Sequence, residues 1–371
     1  MLAEFEVRNY RGFRDKLQFS LESAKNYEFN QEAVHNGIIK DSVVIGYNAA
    51  GKTNLGRAVM DIIIHLSDKE GNRIGDSSKL FYSNLYNQDN IVSFSYKFKF
   101  DSSYIEYTYE KENALQVIRE SVKINGKKVI VNDNDTCFVH LKGTESLNLD
   151  NWDNSISLVK YTYANTVLDR ADKNCQVFLK FMKFVNRMLW FGSTDRMQSI
   201  GSNLYGGSVL EAICGLENGV KNLEDFLQEA NLPFKLLEGE GSRGETIYCK
   251  VGEKEVPFGP LMSSGIKALT FLCLWYMQRE DFSFIFIDEF DAFYHTDLSI
   301  AIIRKLMKEE NIQVIFTSHN TDIISNELLR PDCYFILEDN TIQPFCNLTD
   351  KSLREAHNLQ KMYKAGAFHE Q

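Results

Sequence analysis

The spacing of apolar positions changes along this chain, and with it the element that each stretch predicts. Segments at about 3–8, 15–21 and 42–46 read as strands, the last of them inside the short run Asp41-Ser42-Val43-Val44-Ile45, with a helix expected from there to about His65. From about Ile91 to Val131 the period becomes two, as in Val92–Phe100 and Tyr104–Tyr109, and Asn125-Gly126 marks a tight hairpin. That stretch predicts an antiparallel sheet. Residues 169–231 then turn helical, with one amphipathic helix expected over Val177–Trp190 and another over Asn222–Ala230, capped by Asn222. Short strands return between about 234 and 260. Beyond them an apolar helix, Ala268–Trp275, precedes two continuous apolar runs, Phe282–Ile287 and Gln313–Thr317. Continuous runs of this kind are what strands buried on both faces of a parallel sheet require.

The chemistry sits at the ends of those runs. Gly46-Tyr47-Asn48-Ala49-Ala50-Gly51-Lys52-Thr53 spells G-x-x-x-x-G-K-[ST] directly after a strand, the pattern of a phosphate-binding loop. Its glycines let backbone N–H groups curl around a phosphate, Lys52 can reach the β- and γ-oxygens, and the Thr53 hydroxyl can ligate Mg²⁺. Phe282–Ile287 ends in Asp288-Glu289, two carboxylates delivered to the C-terminal end of a strand. Asp288 is expected to share Mg²⁺ with Thr53, and Glu289 to polarise a water toward the γ-phosphate. The run ending at Thr317 leads into Ser318-His319-Asn320, so an imidazole is expected at the same edge, able to sense that phosphate. Between these lies Met262-Ser263-Ser264-Gly265 at a helix start, a second anion-binding arrangement.

This order of P-loop, Ser-Ser-Gly loop, Asp-Glu strand and His strand resembles the ABC-type ATPases, in the branch of RecF, SMC and OLD proteins. Phe5-Glu-Val-Arg-Asn-Tyr-Arg11-Gly-Phe13 is similar to that branch's opening strand, and Gly46-Tyr-Asn48 with Thr53-Asn54 to its form of the P-loop. The tail Leu353–Phe368 is similar to the closing segment of RloA/AbiL-like bacterial defence ATPases. The resemblance implies an α/β ATPase head with an antiparallel β-lobe and an inserted helical subdomain. It divides the chain into 1–90 and 261–371 as the two halves of the head, 91–165 as the β-lobe, and 166–260 as a helical insertion with short strands. It implies ATP and Mg²⁺ as cofactors, Gly46–Asn54, Arg11 and Ser263–Gly265 as nucleotide contacts, and Glu289 and His319 as catalytic groups. The signature loop departs from the usual L-S-G-G-Q, with Ser in place of the first Gly and no Gln, a form the defence branch carries. For a Q-loop glutamine, Gln88 competes with a plain-loop reading; for the D-loop, Asp291 and His295 both qualify.

Composition narrows the partners. The formal net charge is −10, so the protein as a whole presents no cationic field, and contact with nucleic acid would have to use a local patch. Seven cysteines without C-x-x-C spacing argue against a disulfide scaffold or zinc ribbon and fit a reduced cytoplasm. Neither a signal-peptide pattern nor an 18-residue apolar span is expected, so no membrane is implied. Each functional residue also has a plain alternative: Ser264 and Gly265 as a helix cap, His319 as a capping or core residue, and Arg11 as an ordinary surface arginine. Asp133, Asp135, Asp150 and Asp153 read as turns rather than a nuclease site, and Lys180, Lys183 and Arg187 as a solvated helix face.

The resemblance implies two heads that close head to tail around ATP, each supplying its Ser264-Gly265 loop to the other's P-loop. Residues 290–371 read as the end of the head, so an effector such as a nuclease is expected on a separate chain. The expected function is an ATP-driven switch in anti-phage defence. A DNA-binding repair ATPase of the RecF/SMC kind is the alternative.

Overall fold

The computed structural model describes residues 1–67, 81–133, 135–153, 155–192, 199–201, 208–241 and 244–368. Two seven-stranded sheets form its α/β body. The mainly parallel one runs, from edge to edge, Ser199–Ile200, Met188–Gly192, Phe284–Asp288, Gln313–Ser318, Asp41–Ile45, Tyr334–Glu338 and Thr341–Pro344. Its two edge strands are antiparallel to their neighbours and the others parallel. The strands Asp41–Ile45, Phe284–Asp288 and Gln313–Ser318 are buried at every residue, as continuous apolar runs demand. Register then decides the chemistry: Ser318 pairs with Ile45 and Ile287 with Phe316, so Gly46, Asp288-Glu289 and His319 leave the sheet along one edge.

The antiparallel sheet runs Thr136–Val139, Lys127–Asp133, Val117–Ile124, Ser103–Lys111, Val92–Phe100, Leu2–Arg8 and Leu17–Ser20. Alternation puts Phe94, Tyr96 and Phe98 on its buried face while their neighbours are half-exposed. Asn125 and Gly126 both have positive φ at the expected hairpin. Between the sheets lie the helix Lys52–Val59 and the helix Lys173–Val185, whose Phe184 meets Phe98 of one sheet at 5.4 Å and Phe284 of the other at 6.4 Å.

Several local expectations are corrected. The first two strands, read as part of the nucleotide lobe, belong to the antiparallel sheet instead: Leu2–Arg8 pairs with Val92–Phe100, and Leu17–Ser20 with Leu2–Arg8. The run Val177–Trp190, read as one helix, ends as helix at Val185; Met188–Gly192 is a strand beside Phe284–Asp288. A short, continuously apolar run carries no period that separates a buried helix from a buried strand, and a vacant place beside the Asp288 strand decided it. The helix read from Asn222 begins earlier, at Gly219 behind Asn218. Of the stretch 169–231 read as helical, residues 193–198 and 202–207 lie outside the described residues. The Leu236–Gly241, Gly244–Val251 and Lys254–Pro257 strands form a separate sheet. The seven cysteines are all free, and among the described residues no helix is long and apolar enough to cross a membrane.

Gly56 marks how tightly the P-loop helix is pressed on the parallel sheet. A Cβ there would lie 2.6 Å from both the Phe286 ring and the Trp190 indole nitrogen. Gly56→Val is therefore expected to destabilise the fold by about 2 kcal/mol or more through overpacking. Urea unfolding measures this, and an unchanged midpoint would contradict the close packing.

Candidate nucleotide site

The P-loop begins where the Asp41–Ile45 strand ends. Gly46 has no room for a side chain, since a Cβ would sit 2.7 Å from the Leu337 carbonyl oxygen. Gly51 has φ 103°, and a Cβ on it would lie 3.1 Å from the Phe13 ring. Ala49 is left-handed too, at φ 65°, giving the loop its curl. Tyr47, Asn48 and Ala49 face solvent, Ala50 is half-buried, and Lys52 at the helix start is buried. The Lys52 ammonium donates to the carbonyls of Gly46 at 2.8 Å and Tyr47 at 3.1 Å and lies 3.0 Å from His319 Nδ1. Burial lowers its pKa, against the pull of Glu289, Asp288 and Asp291.

Thr53 brings the loop to the acidic strand. Its hydroxyl donates to Asp288 Oδ2 at 2.6 Å, while the Thr317 hydroxyl donates to Oδ1 at 2.7 Å. Burial raises the Asp288 pKa despite these two bonds. Thr317 Oγ1 also accepts the Glu289 N–H at 2.8 Å. Glu289 has φ 49°, a costly conformation for a residue with a side chain, and its carboxylate lies 3.3 Å from His319 Nε2. His319 Nδ1 lies 3.0 Å from the Lys52 ammonium, which can only donate to it, and 3.1 Å from the Gly46 carbonyl oxygen, which can only accept from it, so the ring's protonation is tied to which of the two it bonds. Asp291 accepts from the Ser318 hydroxyl at 2.6 Å, and burial raises its pKa. Of the two D-loop candidates it is the one joined to this cluster, whereas His295 caps the helix Thr296–Met307. Gln88 is exposed.

Arg11 belongs to a tight turn, Tyr10–Phe13, closed by two backbone hydrogen bonds of 2.9 and 2.8 Å. That turn packs on the P-loop through Phe13 against Gly51 and through Gly12, where a Cβ would lie 3.3 Å from the Asn54 amide nitrogen. The Arg11 Nε is buried with no hydrogen-bond partner. Ser263 caps the helix Ser264–Met277, accepting from the Ile266 N–H. Ser263 and Ser264 are exposed, and a Cβ on Gly265 would meet the Phe293 carbonyl oxygen at 3.1 Å. Among the described residues no hydrogen bond or ion pair joins Ser263, Ser264 or Gly265 to the P-loop of their own chain. Sequence reasoning missed Thr317 and Gly56. A hydroxyl residue at the inner end of a buried strand was the available signal for the first; the second shows itself through packing alone.

A phosphate-binding loop pattern and an Asp-Glu strand end thus meet at one sheet edge of an α/β fold, the arrangement that a nucleotide site with a divalent cation requires. Residues 224–325 match the family described as "AAA domain, putative AbiEii toxin, Type IV TA system". The match takes in Ser263–Gly265, Asp288, Glu289 and His319 and leaves out the P-loop, which folding brings to the same edge. No curated protein matches the chain. Among solved structures, the SMC head domain from Thermotoga maritima is 12% identical, covering 92% of this chain and 97% of that one, with a TM-score of 0.43. The Smc head with an extended coiled coil, bound to the C-terminal domain of ScpA derived from Pyrococcus furiosus, is 14% identical over 98% of both chains, with a TM-score of 0.43. The recombination mediator RecF is 14% identical over 93% of this chain and 98% of its own, with a TM-score of 0.39.

Proposed function

We propose that this protein binds and hydrolyses ATP, closes head to tail on a second copy of itself around the nucleotide, and thereby controls a separately encoded effector in bacterial anti-phage defence. The observation that carries the ATPase reading is the 2.6 Å contact between Thr53 and Asp288, with Glu289 and His319 beside it. A hydroxyl and a carboxylate form a hard oxygen donor set that fits Mg²⁺. Thr53 and Asp288 would hold that ion, which compensates phosphate charge when bound. Lys52 and the loop N–H groups hold the phosphates, Glu289 orients a water and takes its proton, and His319 contacts the γ-phosphate. Arg11, in a turn seated on Gly51 and Asn54, would lie beside a nucleotide held there.

Support for the second copy comes from Ser263–Gly265, which among the described residues have no hydrogen bond or ion pair to their own P-loop, with Ser263 and Ser264 exposed at a helix start suited to a phosphate. Support for the defence role comes from the toxin–antitoxin description of the family matched by residues 224–325 and from the similarity of the Ser-Ser-Gly loop and the tail to defence ATPases. Purification with the products of neighbouring genes, followed by mass measurement with and without ATP, tests it. A nucleotide-dependent complex with a nuclease or other toxin is the expected outcome. Turnover strongly stimulated by DNA, with salt-sensitive affinity, would instead support a RecF/SMC-like repair ATPase.

Gly265→Asp tests the composite site. A carboxylate set against the partner's γ-phosphate repels it, so the variant is expected to bind ATP in its own P-loop yet neither hydrolyse efficiently nor dimerise. Mixed with Lys52→Ala it regains activity, because a mixed dimer contains one intact composite site. Full turnover by Gly265→Asp alone would rule out the head-to-tail arrangement.

A further inference from the structure

Behind the P-loop the helix stops after Val59 and resumes as Asp61–Leu66. The break coincides with a buried polar cluster supplied by the antiparallel sheet. The Tyr96 hydroxyl donates to the Ala58 carbonyl at 2.9 Å, entering the helix's own hydrogen-bond ladder. Asp61 accepts from Lys111 Nζ at 2.6 Å and the Tyr109 hydroxyl at 2.9 Å on one oxygen, and from the Tyr82 hydroxyl at 2.8 Å on the other. Asp61 and Lys111 are 1% and 0% exposed, so this ion pair is fully removed from water. Tyr82 extends the cluster toward the site: its carbonyl accepts the Arg11 N–H at 3.1 Å, and its ring meets Tyr10 edge-on at 5.4 Å. Asn84, two residues on, donates to the Arg11 carbonyl at 2.6 Å. One carboxylate thus joins the helix Asp61–Leu66, which continues the P-loop helix, to the strand Ser103–Lys111 and, through Tyr82, to the turn that covers Gly51.

An ion pair this deep is a poor source of stability, since its attraction roughly repays desolvation and apolar replacement of both partners is often neutral or better. What it supplies is a defined arrangement, because each oxygen of Asp61 is satisfied in this one geometry. We propose that the Asp61–Lys111 pair is a positioning device of the nucleotide site, fixing the P-loop helix and the Arg11 turn against the antiparallel lobe so that nucleotide binding and movement of the lobe are coupled. The nucleotide arm of this coupling rests on the ATP-binding reading; the mechanical link among the three segments does not.

The test replaces both partners, Asp61→Leu with Lys111→Met, in the full chain. A folded protein with a lowered unfolding temperature is expected, because the buried Tyr82 and Tyr109 hydroxyls lose Asp61 as acceptor. Amide exchange of the ligand-free protein should become about tenfold faster in residues 53–60 and 9–14. ATP affinity should fall about threefold to tenfold as the competent arrangement becomes a fraction of the ensemble. Protection of residues 92–111 on ATP binding, expected in wild type, should be lost. A folded double variant with wild-type exchange in 53–60 and 9–14 would overturn the proposal. Should that variant fail to fold, Tyr82→Phe removes one hydroxyl and leaves the ion pair: faster exchange in 9–14 and 82–87 at an unchanged unfolding temperature supports the link, and unchanged exchange overturns it. Absence of ATP and ADP binding in wild type would sink the nucleotide reading alone, because exchange in the ligand-free protein still decides the positioning role.

Discussion

Lys52→Ala is expected to abolish measurable ATP binding. Lys52 is buried at the mouth of the loop, within 3.1 Å of two loop carbonyls and His319, and its ammonium is the cation nearest the expected β- and γ-phosphates. Loss of a desolvated, charge-assisted contact of this kind costs on the order of 2–4 kcal/mol, which weakens affinity about thirtyfold to a thousandfold. Isothermal titration with ATP and Mg²⁺ measures it, with circular dichroism to show that the variant is folded. Because Lys52 also occupies a site crowded with Asp288, Glu289 and Asp291, its removal leaves net negative charge facing the phosphates, adding to the loss. Wild-type affinity in the variant would dismiss the P-loop as the nucleotide site.

Glu289→Gln separates holding ATP from cleaving it. The amide keeps the size of the side chain and leaves Asp288, Thr53 and Thr317 untouched, but it cannot take a proton from water. Hydrolysis should fall about 10²-fold or more while ATP remains bound, and the ATP-loaded variant should accumulate as the dimer or a larger assembly. Phosphate release and light scattering read the two effects. The 3.3 Å contact between Glu289 and His319 adds a control: a Gln amide can both donate and accept, so it can keep this contact with His319 Nε2 in either tautomer. Turnover at the wild-type rate would assign proton abstraction to another group.

Much of this site was legible as sequence. Gly46–Thr53, Asp288-Glu289 and His319 each sit at the end of an apolar run, and a run that is apolar throughout belongs in the middle of a parallel sheet, whose C-terminal edge is shared by every strand. From that alone their convergence follows. The period-two stretch from Ile91 was equally readable, because one face of an antiparallel sheet is buried and the other wet.

What only the tertiary structure decided concerns choices among partners. Leu2–Arg8 is a strand by pattern, but the pattern does not say which sheet accepts it; pairing with Val92–Phe100 did. Met188–Gly192 carries no period at all, and the place beside Phe284–Asp288 made it a strand. Thr317 joins Asp288 to Glu289, and Asp61, just past the P-loop helix, meets Lys111, through single hydrogen bonds between residues far apart in the chain. Local periodicity reports which face of a segment is buried, because burial of apolar surface repeats with the backbone. It does not report which distant group a polar atom meets, and that information exists only once the chain has packed.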